Sequence, residues 1–183
     1  MAKWFFEPGH TEVEFRARHM MVTWVRGLFK NVTGRLDFDP EDPGRMSFST
    51  EFDARTLWTG VQQRDDHLRS ADFLDAEHFP TISFQSRSVR QIGEHDFVIS
   101  GDLTLRGVTR PIEMDVTYLG QWETPWWEDG VNKGPRKRAG FSARARINRN
   151  DFGVAWNDEM PNGGVVVSPE IDLTIDAEAV RED

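Results

Sequence analysis

The chain has 183 residues, a size typical of one domain, and we expect residues 1–183 to form a single domain. Hydrophobic residues make up 38% and charged residues 29%, a balance that excludes an intrinsically disordered chain. A formal charge of −9 disfavours nucleic acid and anionic membranes as partners, and the lack of cysteine excludes disulfides, thiolate metal sites and cysteine nucleophiles.

The N-terminal segment, MAKWFFEPGHTEVEF, enters strand-like alternation almost at once. It lacks the apolar stretch of about 7–15 residues and the small-residue cleavage site of a secretory signal peptide. No part of the sequence is apolar over about 18 consecutive residues, the length that a membrane-spanning helix needs. We therefore expect a cytoplasmic protein with no integral membrane segment.

Apolar and polar residues alternate with a period of two along most of the chain. The alternating runs occupy residues 13–17, 29–38, 46–54, 82–85, 97–105, 112–118, 141–147 and 171–175. Successive side chains of a strand point to opposite faces, so each run has one dry face and one wet face. Turn residues between the runs favour an antiparallel sheet, and the pattern alone fits a sandwich and a barrel equally well.

Residues 59–74 interrupt this period and carry many charges. Thr59 and Gln62 have the spacing of a capping box, which satisfies free amides at the start of a helix. Asp65 and Arg69 have the spacing of a favourable pair one helical turn apart. We predict one short helix near residues 60–73.

Residues 121–138, QWETPWWEDGVNKGPRKR, form the second irregular stretch. Its tryptophans and prolines lie beside a basic cluster, and the composition predicts a long loop, a kind of segment that often has a function. Trp126 and Trp127 could stack on a ligand, or could pack against the rim of the sheet.

Four stretches of the sequence resemble the YceI-like family. They are WFFEPGHTEVEFRARHM at 4–20, RDDHLRSADFLDAEHFPTISFQS at 64–86, GDLTLRGVTRPIEMDV at 101–116 and RAGFSARARINRNDFGVAWN at 138–157. The resemblance implies an all-β fold, an extended eight-stranded antiparallel lipocalin-like β-barrel. It also implies binding, carriage or sequestration of a long apolar lipid, polyisoprenoid or quinone-like, without catalysis or a cofactor. Many family members are periplasmic, and the resemblance is compatible with a homodimer.

The dry faces of the strands are the candidate lipid-binding surface. The candidate ligand-binding residues are Phe15, Ala17, His19, Phe48, Phe52, Phe84, Leu103, Met114, Val116, Phe141 and Leu173. The periodicity by itself favours an ordinary filled core, whereas the resemblance favours a tunnel. Each methylene group removed from water contributes about 0.8 kcal/mol, so a tunnel could bind a long prenyl chain without specific contacts.

Candidate residues for the barrel mouth or a ligand head group are Arg64, His67 and Arg69 on the predicted helix, together with Trp126 and Trp127. An arginine there could pair with a phosphate, or the charged cluster could fix the helix to the barrel rim. The stretch from Asn148 to Gly153 is typical of a structural corner.

Motifs of catalysis and metal binding are absent. The five histidines show no HExxH-type spacing, so we expect no metal site, and there is no GxSxG or GxGxxG motif. One alternative function is a small-barrel enzyme that acts on an apolar substrate with His19 or His67 as acid or base. Another is an interaction module that uses the tryptophan-rich segment 121–138.

Overall fold

Ten β-strands and one α-helix make up the part of the chain that the structure, a computed structural model, describes: residues 1–161 and 163–182. The strands are β1 (Ala2–Phe6), β2 (Glu12–His19), β3 (Thr23–Phe29), β4 (Thr33–Phe38), β5 (Ser47–Asp53), β6 (Thr81–Gln91), β7 (Asp96–Leu105), β8 (Val108–Glu128), β9 (Val131–Asn148) and β10 (Val167–Arg181). Helix α1 spans Gln62–Arg69, and short 3-10 turns occupy Pro43–Arg45, Ala54–Thr56 and Arg149–Phe152. No helix in the described residues is long and apolar enough to cross a bilayer.

The strands form one antiparallel sheet that closes on itself. Strands β4 to β10 follow one another as hydrogen-bonded neighbours, and β1 pairs with both β4 and β10. Strands β1 and β2 both pair with β10, so they are successive parts of one bent strand. This bent strand forms a hairpin with β3 and β4, because β2 pairs with β3 and β1 pairs with β4. Counted in this way, the ten segments form eight strands, and the predicted eight-stranded antiparallel barrel is confirmed. Closure through β1 pairs sheet edges that would otherwise be exposed and invite aggregation.

The period of two places the apolar residues inside the barrel. In β7, Phe97, Ile99, Gly101, Leu103 and Leu105 are buried, and the residues between them are partly exposed. Strand β9 repeats this pattern over its second half, where the inward residues are mostly alanines. Small side chains on one wall opposite phenylalanines on others leave space along the barrel axis.

Aromatic rings close one end of the barrel. Phe38 on β4 is fully buried, and its ring centroid lies 5.0 Å from that of Tyr118 on β8 and 5.2 Å from that of Phe141 on β9. Because β4 is not paired with β8 or β9, these rings meet across the lumen. The indole N–H of Trp4 donates to the carbonyl oxygen of Phe38 at 3.1 Å. We call Trp4, Phe38, Tyr118 and Phe141 the aromatic plug.

The connection between β5 and β6, residues 54–80, covers the other end of the barrel. Main-chain hydrogen bonds join Trp58 to Leu28 of β3, and the amide of Ala54 donates to Pro80 where the two ends of the connection meet. Arg106, in the two-residue turn between β7 and β8, donates to the carbonyl oxygen of Ala71 at 2.8 Å. We call residues 54–80 the helical cover.

Helix α1 begins differently from the prediction. Its N-cap residue is Val61, which provides no side-chain cap, so the predicted capping box of Thr59 and Gln62 is wrong. The hydroxyl of Thr59 instead donates to Asp65, which is buried, at 2.5 Å. The predicted pair of Asp65 and Arg69 is also wrong, because Arg69 contacts Asp66. The helix spans eight residues and is shorter than the predicted range.

Residues 121–138 are not the predicted loop. Strands β8 and β9 continue past the barrel as a two-stranded hairpin, and they are joined at Asp129 and Gly130, whose φ angles are 50° and 77°. Pro125 and Pro135 lie opposite each other in this hairpin. Proline is tolerated there because each strand has only one neighbour and the missing N–H would face outward. Two strand boundaries also differ from the prediction. The alternating pattern did not predict β1, and it placed residues 29–38 in one strand, whereas β3 ends at Phe29 and β4 begins at Thr33.

Candidate apolar ligand site

Two cavities lie end to end inside the barrel. We call the first the plug-side chamber and the second the helix-side chamber. The volume open to the centre of a water molecule is about 100 Å³ in the plug-side chamber and about 130 Å³ in the helix-side chamber. Val13, Phe52, Leu103 and Leu173 line both chambers and so form the junction between them. About 10–15 Å³ on this scale suffices for one water molecule, so both chambers are far larger than packing defects.

Strand residues form most of the walls. The plug-side chamber is also lined by Phe6, Thr11, Val32, Leu36, Met46, Phe48, Thr50, Phe84, Ile99, Ile112, Met114, Val116, Phe141, Ala143, Ala145, Ile175 and Ala177. The helix-side chamber is also lined by Phe15, Ala17, Phe29, Leu57, Leu68, Phe73, Leu74, Ile82, Leu105, Ile147, Arg149, Val154, Val167 and Ile171.

Two glycines give phenylalanine rings room against the wall. A Cβ atom on Gly101 would lie 2.3 Å from Cζ of Phe84, and one on Gly27 would lie 2.4 Å from Cζ of Phe15. Real Cβ atoms do not approach other atoms so closely, so only glycine lets each ring lie where it does. The rings therefore line the chambers instead of crossing them.

The chamber walls offer water few partners. Among the lining residues, the polar side chains are those of Thr11, Thr50 and Arg149. Thr11 is already engaged, because its hydroxyl donates to the carbonyl oxygen of Glu178 at 3.3 Å and accepts from the amide of Glu178 at 3.2 Å. A buried water molecule typically needs two to four polar partners, so the chambers suit an apolar chain better than water.

Ten of the eleven predicted ligand-binding residues line a chamber. Phe15 and Ala17 line the helix-side chamber, and Phe52, Leu103 and Leu173 line both. Phe48, Phe84, Met114, Val116 and Phe141 line the plug-side chamber. His19 lines neither; it is half-buried at the end of β2, opposite Thr23 and Val167. Contact of these side chains with a ligand stays a prediction.

The predicted head-group residues on α1 make their polar contacts within the helical cover. Arg64 donates to the hydroxyl oxygen of Thr59 at 2.7 Å, and Arg69 donates to the carbonyl oxygen of Leu57. His67 contacts Asp72 at 2.9 Å, and its ring packs edge-on against Trp156. None of the three lines a chamber, so their placement fits the fixing of the helix better than recognition of a head group.

The predicted aromatic pair at the mouth lies outside the barrel. Trp126 packs edge-on against Phe5 with ring centroids 6.2 Å apart, and the guanidinium groups of Arg136 and Arg138 lie 5.0 and 5.2 Å from its ring centroid. Trp127 is 61% exposed. Neither tryptophan lines a chamber. Their positions therefore do not support the predicted contact with a ligand at the barrel mouth.

The chamber wall includes residues that the alternating pattern did not single out. Leu57, Leu68, Phe73 and Leu74 belong to the helical cover, and their only signal was apolar character within a charged segment. Arg149, which the sequence assigned to a structural corner, is 4% exposed and lines the helix-side chamber. Burial lowers the pKa of its guanidinium group from the ordinary value.

One group of side chains among the described residues could hold a metal ion. Single ligand atoms of Glu7, His10 and Glu178 lie within 4.8 Å of one another. Nδ1 of His10 is 2.9 Å from Oε2 of Glu7, and Glu178 is already bound by Arg138. A cation at this position would have to compete with that guanidinium group. None of the three lines a chamber.

A closed antiparallel barrel around apolar chambers, with a helical cover over one end, has the architecture of the lipocalin-like barrels. The family model described as "YceI-like domain" matches residues 4–179. The chain belongs to this family, as the sequence motifs predicted.

Curated relatives agree with this assignment. The chain is 36% identical to Protein YceI of Escherichia coli over 176 residues, which cover 96% of this chain and 84% of that protein. It is 33% identical to a UPF0312 protein of Pseudomonas putida, with the same shares of the two chains covered.

Solved structures show the same fold. The YCEI protein of Campylobacter jejuni is 26% identical, with a TM-score of 0.73 and coverage of 91% of this chain and 90% of that one. BcnA of Burkholderia cenocepacia is 20% identical, with a TM-score of 0.74 and coverage of 92% and 95%. A polyisoprenoid binding domain from Saccharophagus degradans, implicated in plant cell wall breakdown, is 11% identical, with a TM-score of 0.69 over the whole of both chains.

Proposed function

We propose that this protein binds one long apolar lipid, a polyisoprenoid or quinone-like molecule, inside the barrel and carries or sequesters it without chemical change. The observation that carries the proposal is the pair of adjoining apolar chambers that share Val13, Phe52, Leu103 and Leu173. Two chambers in line suit a molecule that is long and narrow better than one that is compact.

The physical driving force is the removal of apolar surface from water. Each buried methylene group contributes about 0.8 kcal/mol, so a chain that fills both chambers gains free energy in proportion to its length. Such a wall offers few contacts that distinguish one apolar chain from another. The polyisoprenoid binding domain of Saccharophagus degradans, which has the same fold, supports a prenyl chain as the ligand.

Native mass spectrometry of the purified protein, followed by organic extraction, tests the proposal. We expect an adduct of a single apolar molecule that solvent extraction removes. Ala143→Phe places a ring in the plug-side chamber, which Ala143 lines, and should reduce the bound fraction at least tenfold. The matched control is Arg144→Phe, because Arg144 is exposed on the other face of the same strand and should leave binding unchanged.

Equal lipid binding by the Ala143→Phe and Arg144→Phe proteins would contradict a ligand inside the plug-side chamber. A barrel that neither co-purifies with an apolar molecule nor binds added geranylgeraniol would contradict the proposal as a whole.

The alternatives have less support from the geometry. Acid–base chemistry on an enclosed apolar substrate needs a titratable group inside the barrel. His19 lines neither chamber, and His67, with 41% of its side chain exposed, is paired with Asp72. An interaction module on residues 121–138 would use the exposed Trp122 and Trp127, and nothing in the structure identifies its partner.

A further inference from the structure

The turn between β2 and β3 exposes three consecutive apolar side chains, which we call the apolar tip. Met20, Met21 and Val22 are 43%, 54% and 79% exposed. Met160 lies beside them, because a Cβ atom on Gly164 would be 3.4 Å from Cγ of Met21 and 2.4 Å from Cε of Met160. A single exposed apolar residue is ordinary in a folded protein, whereas a group of them marks a surface that contacts another molecule.

The backbone of this turn does not favour methionine. The amide of Val22 donates to the carbonyl oxygen of His19 at 3.1 Å and closes a β-turn, and its two central residues, Met20 and Met21, have φ angles of 47° and 63°. Asparagine and glycine are the residues that favour two successive positive φ angles, and methionine is strained there. The two methionines are therefore present against the preference of the turn, a pattern that is typical of residues with a function.

The apolar tip lies at the end of the barrel that the helical cover closes. Val13 lines both chambers, whereas Phe15 and Ala17, further along β2, line the helix-side chamber alone. Strand β2 therefore runs from the junction along the helix-side chamber, and the tip follows at its end. One face of the β2–β3 hairpin is thus a wall of that chamber, and its turn is exposed.

The outer face of the same hairpin carries arginine and tryptophan side chains. In the sheet, Arg16 is opposite Arg26, and Arg18 is opposite Trp24. The Cζ atoms of Arg16 and Arg18 lie 4.4 and 5.0 Å from the ring centroid of Trp24. Residues 16–26 contain no Asp or Glu, although the whole chain has a formal charge of −9. Arginine and tryptophan next to an apolar tip suit a bilayer surface, where their polar atoms meet phosphate groups and their apolar parts meet acyl chains.

A seam between β3 and the helical cover lies along this hairpin. Within the described residues, the strand neighbour of β3 is β2, and main-chain hydrogen bonds join β3 to the cover at Leu28 and Trp58. Nearer the tip, the contact is through side-chain atoms, since a Cβ atom on Gly27 would lie 2.8 Å from Cγ2 of Thr59. Such a contact separates more readily than a hydrogen-bonded ladder, so the seam offers a lipid a path to the helix-side chamber that leaves the barrel intact.

We propose that the apolar tip docks the protein on the surface of a phospholipid bilayer, with Arg18, Trp24 and Arg26 at the level of the head groups, and that the barrel exchanges its lipid there. The choice of a bilayer rests on the proposed function, because a long apolar lipid partitions into a membrane rather than into water.

The apolar side chains, more than the charges, supply the binding. The amide of Met20 donates to the carbonyl oxygen of Val166 at 2.9 Å, and the amide of Val166 donates to that of Asp158. The segment beside the tip therefore brings the carboxylates of Asp158 and Glu159 close to the arginines and offsets part of their charge.

Co-sedimentation with vesicles of phosphatidylcholine and phosphatidylglycerol tests the docking surface. The wild-type protein should bind, and Met20→Asn/Met21→Gly should bind about tenfold more weakly. Asparagine and glycine suit the turn, so this variant should keep its Tm, and the loss will not reflect unfolding. Arg18→Gln/Arg26→Gln should lose about threefold. The matched control is Ile92→Asn in the β6–β7 connection, where Ile92 is 55% exposed, and it should bind like the wild type.

Uptake of geranylgeraniol separates docking from lipid binding. Uptake from vesicles should be about tenfold slower in the Met20→Asn/Met21→Gly protein, whereas geranylgeraniol added from ethanol without vesicles should bind this variant and the wild type alike. Equal vesicle binding by these two proteins, or none by the wild type, would overturn the docking surface and leave the proposed function intact. Vesicle binding by a protein that takes up no geranylgeraniol would support the docking surface and overturn the proposed function.

Discussion

Asp172 joins three strands on the outer surface of the barrel. Its Oδ1 atom accepts from Nε of Arg146 on β9 at 2.6 Å, and its Oδ2 atom accepts from Nε of Arg16 on β2 at 2.9 Å. The hydrogen bond from Arg146, with a further one from Arg16, holds the pKa of Asp172 below its ordinary value of 3.8. One carboxylate therefore connects β10 to both of its long neighbours.

Asp172→Asn should lower the free energy of unfolding by about 1–2 kcal/mol near neutral pH, because it removes the charge from two hydrogen-bonded pairs. The folded-state pKa of Asp172 lies below the unfolded-state value, so the stabilisation is present above the unfolded-state pKa and is lost as pH falls through the folded-state pKa. Urea unfolding at pH 7, 5 and 3 should show a difference from the wild type that shrinks at the lowest pH.

Asp176→Asn is the control for this variant, since Asp176 is exposed on the same strand. It should have little effect at any pH. A difference between wild type and Asp172→Asn that stays constant down to pH 3 would contradict the assigned role of the Asp172 charge.

At the scale of elements, the long β8–β9 hairpin folds against the outside of the barrel through Trp126. Val180 on β10 is opposite both Phe5 and Arg138 in the sheet, so the three share the outer face. Val180 is nevertheless fully buried. Trp126 contacts the neighbours of Val180 on both sides, Phe5 and Arg138, and we infer that the hairpin covers this part of the wall.

Trp126→Ala should therefore reduce the free energy of unfolding by about 2 kcal/mol, because it removes a packed ring and its contacts with two guanidinium groups. Trp127→Ala, one residue away and 61% exposed, should change it by less than about 0.5 kcal/mol. Chemical denaturation of the two proteins checks this. Equal effects of the two substitutions would contradict the packing role of Trp126.

This hairpin also shows where prediction from the sequence succeeds and fails. Alternation identified the strand faces, since burial imposes a local period of two; strand β7 is the clearest case. Pro125 and Pro135 suggested a loop because local propensity disfavours proline in strands, yet the paired strands accommodate both. Contacts between distant segments, such as Trp126 with Phe5 or Arg149 with Val167, leave no local pattern to read.

At the scale of the whole molecule, the chambers connect lipid binding to stability. A ligand that binds only the folded barrel stabilises it by about 2.7 kcal/mol at a free concentration a hundredfold above its Kd. For a domain of this size that corresponds to an increase in Tm of about 5–10 °C. Lipid carried through purification should therefore raise the measured Tm.

Scanning calorimetry of the protein before and after solvent extraction, and after addition of geranylgeraniol, checks this expectation. Extraction should lower the Tm and geranylgeraniol should restore it, and the Ala143→Phe protein should respond to neither treatment. An unchanged Tm throughout would count against a ligand that is specific to the folded state.

The two ends of the barrel differ in how they could open. The residues of the aromatic plug lie on paired strands, so opening that end would break the hydrogen-bond ladders that close the barrel. The helical cover is joined to β3 by main-chain bonds at Trp58, and the side chain of Arg106 holds it at Ala71. Local unfolding of the cover needs less free energy than global unfolding. The residence time of a lipid should therefore follow the opening rate of residues 54–80, and evolution could tune exchange there without weakening the barrel.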